Sequence, residues 1–364
     1  MRCELNRDIM IDLLSNVVHV LPSRTTTPVF ENILLEVTGE KLALTGADGD
    51  NVVRKEVVLE GKSEEGKTLL KGKKLLELIR ESQQPTVVIF SQEEKVIVES
   101  GRMRATLVSL PPDDFPPLPS FPKEVSIEFP LALLFEMFDR CGFAVSKDEA
   151  RPALTAINWE IYKNESRMVA TDSYRLACIT RKIKSNTRAK MLLTPKAIDI
   201  LPRAEEKVKV SLDPRMVGFQ LEGTSVISRM IEGPYPEYEK VIPQGYPYRA
   251  QLERDGFIAA VRRATVIAHP LGKQISLEFK PNMVVVRAEN PDLGLSEEEM
   301  EITYNGEEIR IGFNGGYLIE ILNHIETENF VAEFSNPMAP VVFKPVDSEA
   351  GAEDLFILMP VRLD

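Results

Sequence analysis

Apolar and polar positions along the chain repeat three times, about 121 residues apart. With Leu5, Phe129 and Leu252 in register, Met10, Leu134 and Phe257 coincide five positions on, and Leu14, Phe138 and Val261 nine positions on. Apolar residues about four apart mark one face of an amphipathic helix. Each copy therefore opens on a short alternating segment followed by a helix. A second helix is predicted where Leu75-Leu76-Glu77-Leu78-Ile79 aligns with Ala197-Ile198-Asp199-Ile200-Leu201 and Leu318-Ile319-Glu320-Ile321-Leu322, each reading apolar, apolar, acidic, apolar, apolar. Between the helices, Ile33–Val37 leads through a polar turn to Leu42–Leu44. Ile157–Ile161 leads likewise to Met168–Ala170, and Ile275–Phe279 to Val284–Val286. Alternation on both sides of a polar turn predicts a hairpin. Further strands follow the second helix at Thr86–Phe90, Val208–Leu212 and Phe330–Phe334.

Each copy thus reads strand, helix, strands, helix, strands. That is an α+β plan, with two helices packed on antiparallel sheet. Proline-rich connectors cannot sit inside regular structure and mark the boundaries. They run over Leu110–Pro119 and from Gly233-Pro234-Tyr235-Pro236-Glu237-Tyr238 to Pro243. The expected domains are 1–120, 121–243 and 244–364.

Composition narrows the function. The chain has 364 residues, 43% hydrophobic and 27% charged, enough apolar content to bury a core rather than stay disordered. Cys3, Cys141 and Cys178 are odd in number and far apart, which argues against a disulfide framework and for a reducing compartment. His19, His269 and His324 lie far from one another and from the cysteines, so neither a metal site nor a histidine-based triad is expected. There is no apolar run of membrane-spanning length and no signal-peptide core at the N-terminus, and a cytoplasmic location is expected. Gly312-Phe313-Asn314-Gly315-Gly316-Tyr317 lacks P-loop spacing and reads as a strand-to-helix turn. Asp48-Gly49-Asp50-Asn51 lacks the distal Glu of a calcium loop and reads as a turn between strands. No nucleophile–base pair stands out, and no cofactor or metal is expected.

The net charge of −12 excludes a chain that binds nucleic acid by being basic everywhere. It is also uneven: −4 over 1–120, +2 over 121–243 and −10 over 244–364. Part of the last excess comes from Glu297, Glu298, Glu299 and Glu301. These read either as a solvated acidic strand or as a docking edge for a basic patch, with Arg102 and Arg104 the natural match. A contact between the third domain of one copy and the first of another is head-to-tail and can close a ring.

Several segments resemble the sliding-clamp family, the β subunits of bacterial DNA polymerase III. They are Val169-Ala170-Thr171-Asp172-Ser173-Tyr174-Arg175-Leu176, Leu21-Pro22-Ser23-Arg24-Thr25-Thr26-Thr27-Pro28-Val29-Phe30, Ser100-Gly101-Arg102-Met103-Arg104, Tyr235-Pro236-Glu237-Tyr238 before Val241-Ile242-Pro243, and Leu358-Met359-Pro360-Val361-Arg362-Leu363. Tyr174 stands where many members carry His, and Asp364 extends past the Arg-Leu that often ends them. The resemblance implies a non-catalytic homodimer: a head-to-tail ring of six similar domains with helices around a central hole. Duplex DNA would thread it without regard to sequence, a clamp loader would open it, and the replicative polymerase and other proteins would attach through short peptides.

The resemblance also implies site residues. A peptide pocket would comprise Leu154, Thr171, Ser173, Tyr174, Arg175, Leu176, Pro236, Lys240, Val241, Pro340, Ile357, Leu358, Met359, Pro360, Val361 and Arg362. Met and aliphatic walls with a few polar groups suit peptides carrying Leu and Phe anchors. DNA-facing candidates on polar helix faces and adjoining loops are Arg7, Arg24, Lys73, Lys74, Arg80, Arg140, Lys147, Arg151, Lys196, Arg203, Arg254, Arg262 and Arg263. Lys and Arg contacts to phosphate carry no base information, as a slider needs. Leu107, Val266 and Ile267 join Arg102, Arg104 and the four glutamates in the expected dimer contact. Two other readings of the residues stand beside this one: a metal-dependent enzyme using Glu297 to Glu301, and a repeat scaffold that binds proteins only.

Overall fold

The computed structural model describes residues 1–203, 206–243, 245–347 and 351–363. Gln244, the expected first residue of the third domain, and Asp364 lie outside the described residues. The chain forms two compact units, Met1–Leu134 with Lys196–Met230, and Phe135–Pro195 with Ile231–Asp364.

Six α-helices occur among the described residues: α1 Arg7–Val20, α2 Gly72–Glu81, α3 Leu131–Cys141, α4 Pro195–Asp199, α5 Arg254–Ile267 and α6 Gly315–Asn323. The predicted register holds in the core. Met10, Leu134 and Phe257 are buried, as are Leu14, Phe138 and Val261. Glu77, Asp199 and Glu320 are exposed between buried or half-buried apolar neighbours, as their apolar-acidic-apolar setting requires. The second helix of the central repeat departs from expectation. It is a five-residue turn that stops at Asp199, leaving Ile200 and Leu201 buried outside it. Pro202 follows directly and disfavours helical backbone in the residue before it.

The first helices of the outer repeats, α1 and α5, start by side-chain capping. Asn6 Oδ1 accepts from the Asp8 and Ile9 amides, and the Glu253 carboxylate from those of Asp255 and Gly256. Beneath α1, Gly46 lets strand and helix approach closely, since a Cβ there would lie 2.7 Å from the Val17 carbonyl oxygen.

In the first unit, Gly66–Lys71, Asn32–Thr38, Lys41–Ala47, Asn51–Val58, Thr224–Arg229, Met216–Leu221, Lys207–Leu212 and Val125–Pro130 make one eight-stranded antiparallel sheet. The second unit has the matching sheet: Ala189–Leu193, Ile157–Tyr162, Glu165–Thr171, Arg175–Lys182, Ala352–Leu358, Val341–Pro345, Asn329–Phe334 and Tyr248–Glu253. Each sheet is therefore two four-stranded halves from successive repeats. The seams are equivalent: Val52 pairs with Ile227 at one, Leu176 with Ile357 at the other.

Two four-stranded sheets lack such a seam. Arg2–Asn6, Thr86–Gln92, Lys95–Ser100 and Met103–Val108 form one in the first unit, and Gly294–Glu301, Met283–Asn290, Gln274–Lys280 and Ile309–Asn314 the other in the second. One edge of each, Met103–Val108 and Gly294–Glu301, is the strand that the internal seams join in the other repeats. Unpaired edges are templates for association.

Candidate peptide cleft, basic groups and free edges

In the second unit, the loop after Glu165–Thr171, the proline-rich connector and the end of Ala352–Leu358 converge on a cleft of about 240 Å³. Leu154, Thr171, Ser173, Arg175, Leu176, Pro236, Val241, Ile357 and Met359 line it, all expected from the sequence, together with Tyr238, which was not. Tyr238 lies in the quoted Tyr-Pro-Glu-Tyr segment, so its signal was present. The loop turns through Ser173 at φ 79°, a left-handed conformation uncommon for a residue with a Cβ. Thr171 Oγ1 donates to the Arg175 carbonyl and accepts from the Ser173 amide, which holds the turn.

The remaining pocket candidates separate by position. Tyr174 is 60% exposed at the rim, its ring stacked 6.2 Å from Tyr317 on α6. The Tyr174 carbonyl accepts from the Met359 amide, carrying the seam ladder to the cleft's edge. Lys240 is exposed and paired with Glu237. Leu358 is buried in its strand, and Pro340 and Pro360 are half-buried beside it. Val361 is bonded to Gly312, and the Arg362 carbonyl accepts from Gln274, so the structure ties both to the Ile309–Asn314 side rather than to the cleft walls.

Arg175 is 8% exposed. Its guanidinium donates to Asp172 at 3.1 Å, to the Phe143 carbonyl at 3.1 Å and to Glu320, and lies over the rings of Phe143 and Tyr317. Every face of the fork is occupied by its own unit, which fixes the cleft loop against α6. A second support lies behind Tyr238. The buried Glu160 carboxylate accepts from Tyr238 and Tyr162 hydroxyls and the Asn158 amide, and pairs with Lys190. Burial pushes this carboxyl up. Lys190 and the three hydrogen bonds outweigh burial and hold it below its ordinary value.

The basic candidates fall into two groups. Arg7 donates to the Ile79 and Arg80 carbonyls, and Arg254 to that of Ile325, so each ties the start of one helix to the end of the next in its repeat. Arg140 is 17% exposed and paired with Asp354, Glu326 and Glu136. Lys196 is paired with Asp48 and donates to the Val20 carbonyl. Arg24, Lys73, Lys74, Arg80, Lys147, Arg151, Arg203, Arg262 and Arg263 are exposed. Within this group Lys74 pairs with Glu77, Arg151 with Asp148, and Arg263 bidentately with Glu298. Lys73 donates to the Pro22 carbonyl and Arg80 to Ser15. Arg24, Lys147 and Arg262 hold no carboxylate among the described residues.

On the free edges, Arg104, Thr106 and Val108 share one face of their strand, while Met103, Ala105 and Leu107 share the other. Arg104 pairs with Glu99 of its own sheet. Glu297, Glu299 and Glu301 share one face of the acidic strand and Glu298 the other, a poor arrangement for holding one metal ion together. Among the described residues no group of three acidic, His or Cys side chains is placed to do so. Val266 is 74% exposed at the end of α5, with Ile267 half-buried beside it. Asp48–Asn51 and Gly312–Tyr317 are the predicted turns: the Asp48 carboxylate accepts from Asp50 and Asn51 amides, and Asn314 caps α6.

The whole sequence has counterparts. It matches the family of the DNA polymerase III beta subunit in three parts: the N-terminal domain over residues 1–119, the central domain over 128–237 and the C-terminal domain over 239–361. The beta sliding clamps of Pseudomonas aeruginosa and Haemophilus influenzae are 28% and 25% identical over the full length of both chains. The solved DNA polymerase III subunit beta of Pseudomonas aeruginosa superposes with a TM-score of 0.95 at 28% identity, covering both chains completely. The beta subunit of Thermotoga maritima gives 0.94 at 24% identity, with the same coverage.

Proposed function

Because this chain belongs to the family of bacterial DNA polymerase III beta subunits, the sliding clamps, we propose how its own residues carry the clamp's work. The protein is a DNA sliding clamp, the non-catalytic processivity subunit that works as a dimer around DNA and tethers the polymerase. The single observation that carries the residue-level reading is the seam rule. Within the chain, the strand that closes each hairpin sheet pairs with the last strand of the next repeat, twice, in one register. Of the strands equivalent to those joined at the seams, the third repeat's closing strand and the first repeat's last strand are the two left unjoined among the described residues.

Applying the rule once more joins Gly294–Glu301 of one protomer to Met103–Val108 of another. The first hairpin pairs Ala47–Val52, Thr171–Leu176 and Glu289–Leu295 are equivalent, as are the turn pairs Leu221–Thr224 and Ser100–Met103. The internal register then sets Leu295 opposite Thr106, Glu297 opposite Arg104 and Glu299 opposite Arg102. The charge match anticipated from sequence follows from backbone pairing alone. Opposed charges across a strand pair favour this register over its slips. A groove of about 440 Å³ beside the first edge, lined by Leu107, Val108, Leu110 and Val29, receives Val266 and Ile267 from the other protomer's α5. Two such joints between two chains close a ring of six domains, 1–120, 121–243 and 244–364 in each.

Arg24, Arg80, Lys147 and Arg262, with Lys73, Lys74, Arg151, Arg203 and Arg263, face the duplex and touch phosphate only. Arg7, Arg140, Lys196 and Arg254 hold helix ends and carboxylates. The cleft at Leu176 and Met359 takes the Leu and Phe side chains of partner peptides, with Arg175 and Glu160 positioning its walls. The clamp resides in the cytoplasm with the chromosome; among the described residues no helix is long and apolar enough to cross a membrane.

Sedimentation equilibrium tests the joint. The protein is expected at twice the chain mass, and Val266→Asp with Leu107→Asp at the chain mass with its circular dichroism unchanged. A double variant that stays dimeric would place the joint elsewhere.

A further inference from the structure

The seam rule applies to clefts as well as strands. In the first unit, the corner beside the Val52–Ile227 seam holds a cleft of about 250 Å³, against about 240 Å³ beside the Leu176–Ile357 seam. The two are built alike. Phe30 takes the place of Leu154 on a short 3-10 turn, Val52 that of Leu176, and Pro116 that of Pro236, while Ile227, at the seam position of Ile357, is buried in the same apolar cluster as Val52 rather than lining the cleft. The loop residue between the hairpin strands is left-handed in both, Gly49 at φ 106° and Ser173 at φ 79°. Floor, turn and proline wall are thus common to both clefts.

The mouths differ in kind. Where the second unit has Tyr174 and Met359, the first has Asp50 and Arg229. These pair at 3.3 Å, 71% and 64% exposed. An ion pair so open to water holds itself together weakly. A carboxylate from a ligand can therefore take Asp50's place on Arg229 at little cost, while Met216 and Val52 offer an apolar surface beside it. The next carboxylate inward, Asp48, is already committed to Lys196 and Asn51. Burial raises its carboxyl, and those partners outweigh burial and hold it below its ordinary value. It stays ionised behind the mouth and repels a second acid.

We propose that this cleft is a second docking site on each protomer, for a short extended peptide that presents one large apolar side chain next to one acidic residue. The proposal rests on reading the Leu176–Met359 cleft as a peptide site. It adds a site of different selectivity, one that prefers a carboxylate at its mouth where the other offers an aromatic ring and a thioether.

The test uses two labelled tetrapeptides, acetyl-Leu-Asp-Leu-Phe-amide and its twin with Asn in place of Asp, titrated calorimetrically onto the intact dimer. The Asp peptide is expected to fill two sites per protomer. Arg229→Gln should weaken only the second step, about fivefold, as should the Asn twin on the unmodified protein. Met359→Ala should weaken only the first. Arg229 is a surface group, so its variant is expected to fold, checked by an unchanged thermal midpoint. One site per protomer, unmoved by Arg229→Gln, would overturn this inference and leave the first cleft standing. Tight binding that survives Met359→Ala would instead remove the first cleft's reading, and this one with it.

Discussion

Replacing Arg175 by Met separates a positioning role from direct peptide contact. The side chain is 8% exposed and donates to Asp172, Glu320 and the Phe143 carbonyl. Methionine fills much of the same volume but leaves Asp172, 13% exposed, without its counter-charge and the Phe143 carbonyl without its donor. Breaking a buried pair from one side costs about 3–5 kcal/mol. The Glu320 contact is discounted, because that carboxylate is 52% exposed and water replaces the guanidinium. Burying the thioether against Phe143 and Tyr317 returns about 1 kcal/mol, for a net loss of about 2–4 kcal/mol. At about 2–4 °C per kcal/mol for a unit of this size, the second unit's calorimetric midpoint should fall by roughly 5–15 °C. Peptide affinity should fall at 37 °C and recover at 15 °C, where the loop is again held. Adding Asp172→Asn removes the stranded charge yet keeps the acceptor for the Tyr174 and Arg175 amides. It should restore about 1–2 kcal/mol of the loss. An unchanged midpoint with peptide binding abolished at both temperatures would refute this reasoning and make Arg175 a contact residue.

The other predictions concern the cleft, the DNA face and pH. Met359→Ala with Pro360→Ala should weaken a Leu- and Phe-bearing peptide by about tenfold or more in fluorescence anisotropy, with the dimer mass unchanged. Changing Arg24, Arg80 and Arg262 together to Glu should make the log-log salt dependence of binding to short duplexes shallower, by about 0.9 for each phosphate that is no longer neutralised, without altering sequence preference. Glu160 titrates below its ordinary value in the folded chain, so its contribution is present at neutral pH and is lost as pH falls through the carboxylate range. Glu160→Gln should flatten the acid-side fall in the second unit's melting temperature and loosen Tyr238, read as weaker peptide binding at pH 7.

The helix faces were legible because burial imposes a period: Met10, Leu134 and Phe257 all had to be apolar for the same reason. The hairpins were legible from alternation around polar turns. The seams were not. Val52 and Ile227 are ordinary strand residues, and nothing in a strand's own pattern names a partner 175 positions away. Four of the single-repeat sheets expected from the sequence are halves of two shared ones, and only the two sheets that carry Met103–Val108 and Gly294–Glu301 stand alone among the described residues. Cleft residues emerged largely through family likeness, since Leu154 or Ile357 alone is indistinguishable from core. Arg7 and Arg254 show the opposite limit. A helix-start arginine looks like a solvated charge in sequence, and only the structure reveals the carbonyls it satisfies on the neighbouring helix.

Retention on DNA tests enclosure most directly. Loaded onto nicked circular duplex and passed through a sizing column at raised salt, the protein should stay with the circle and leave within minutes once a nuclease linearises it. Equal retention on circles and on open-ended linear DNA would show that it holds DNA by grip, and the account of a closed ring would be wrong.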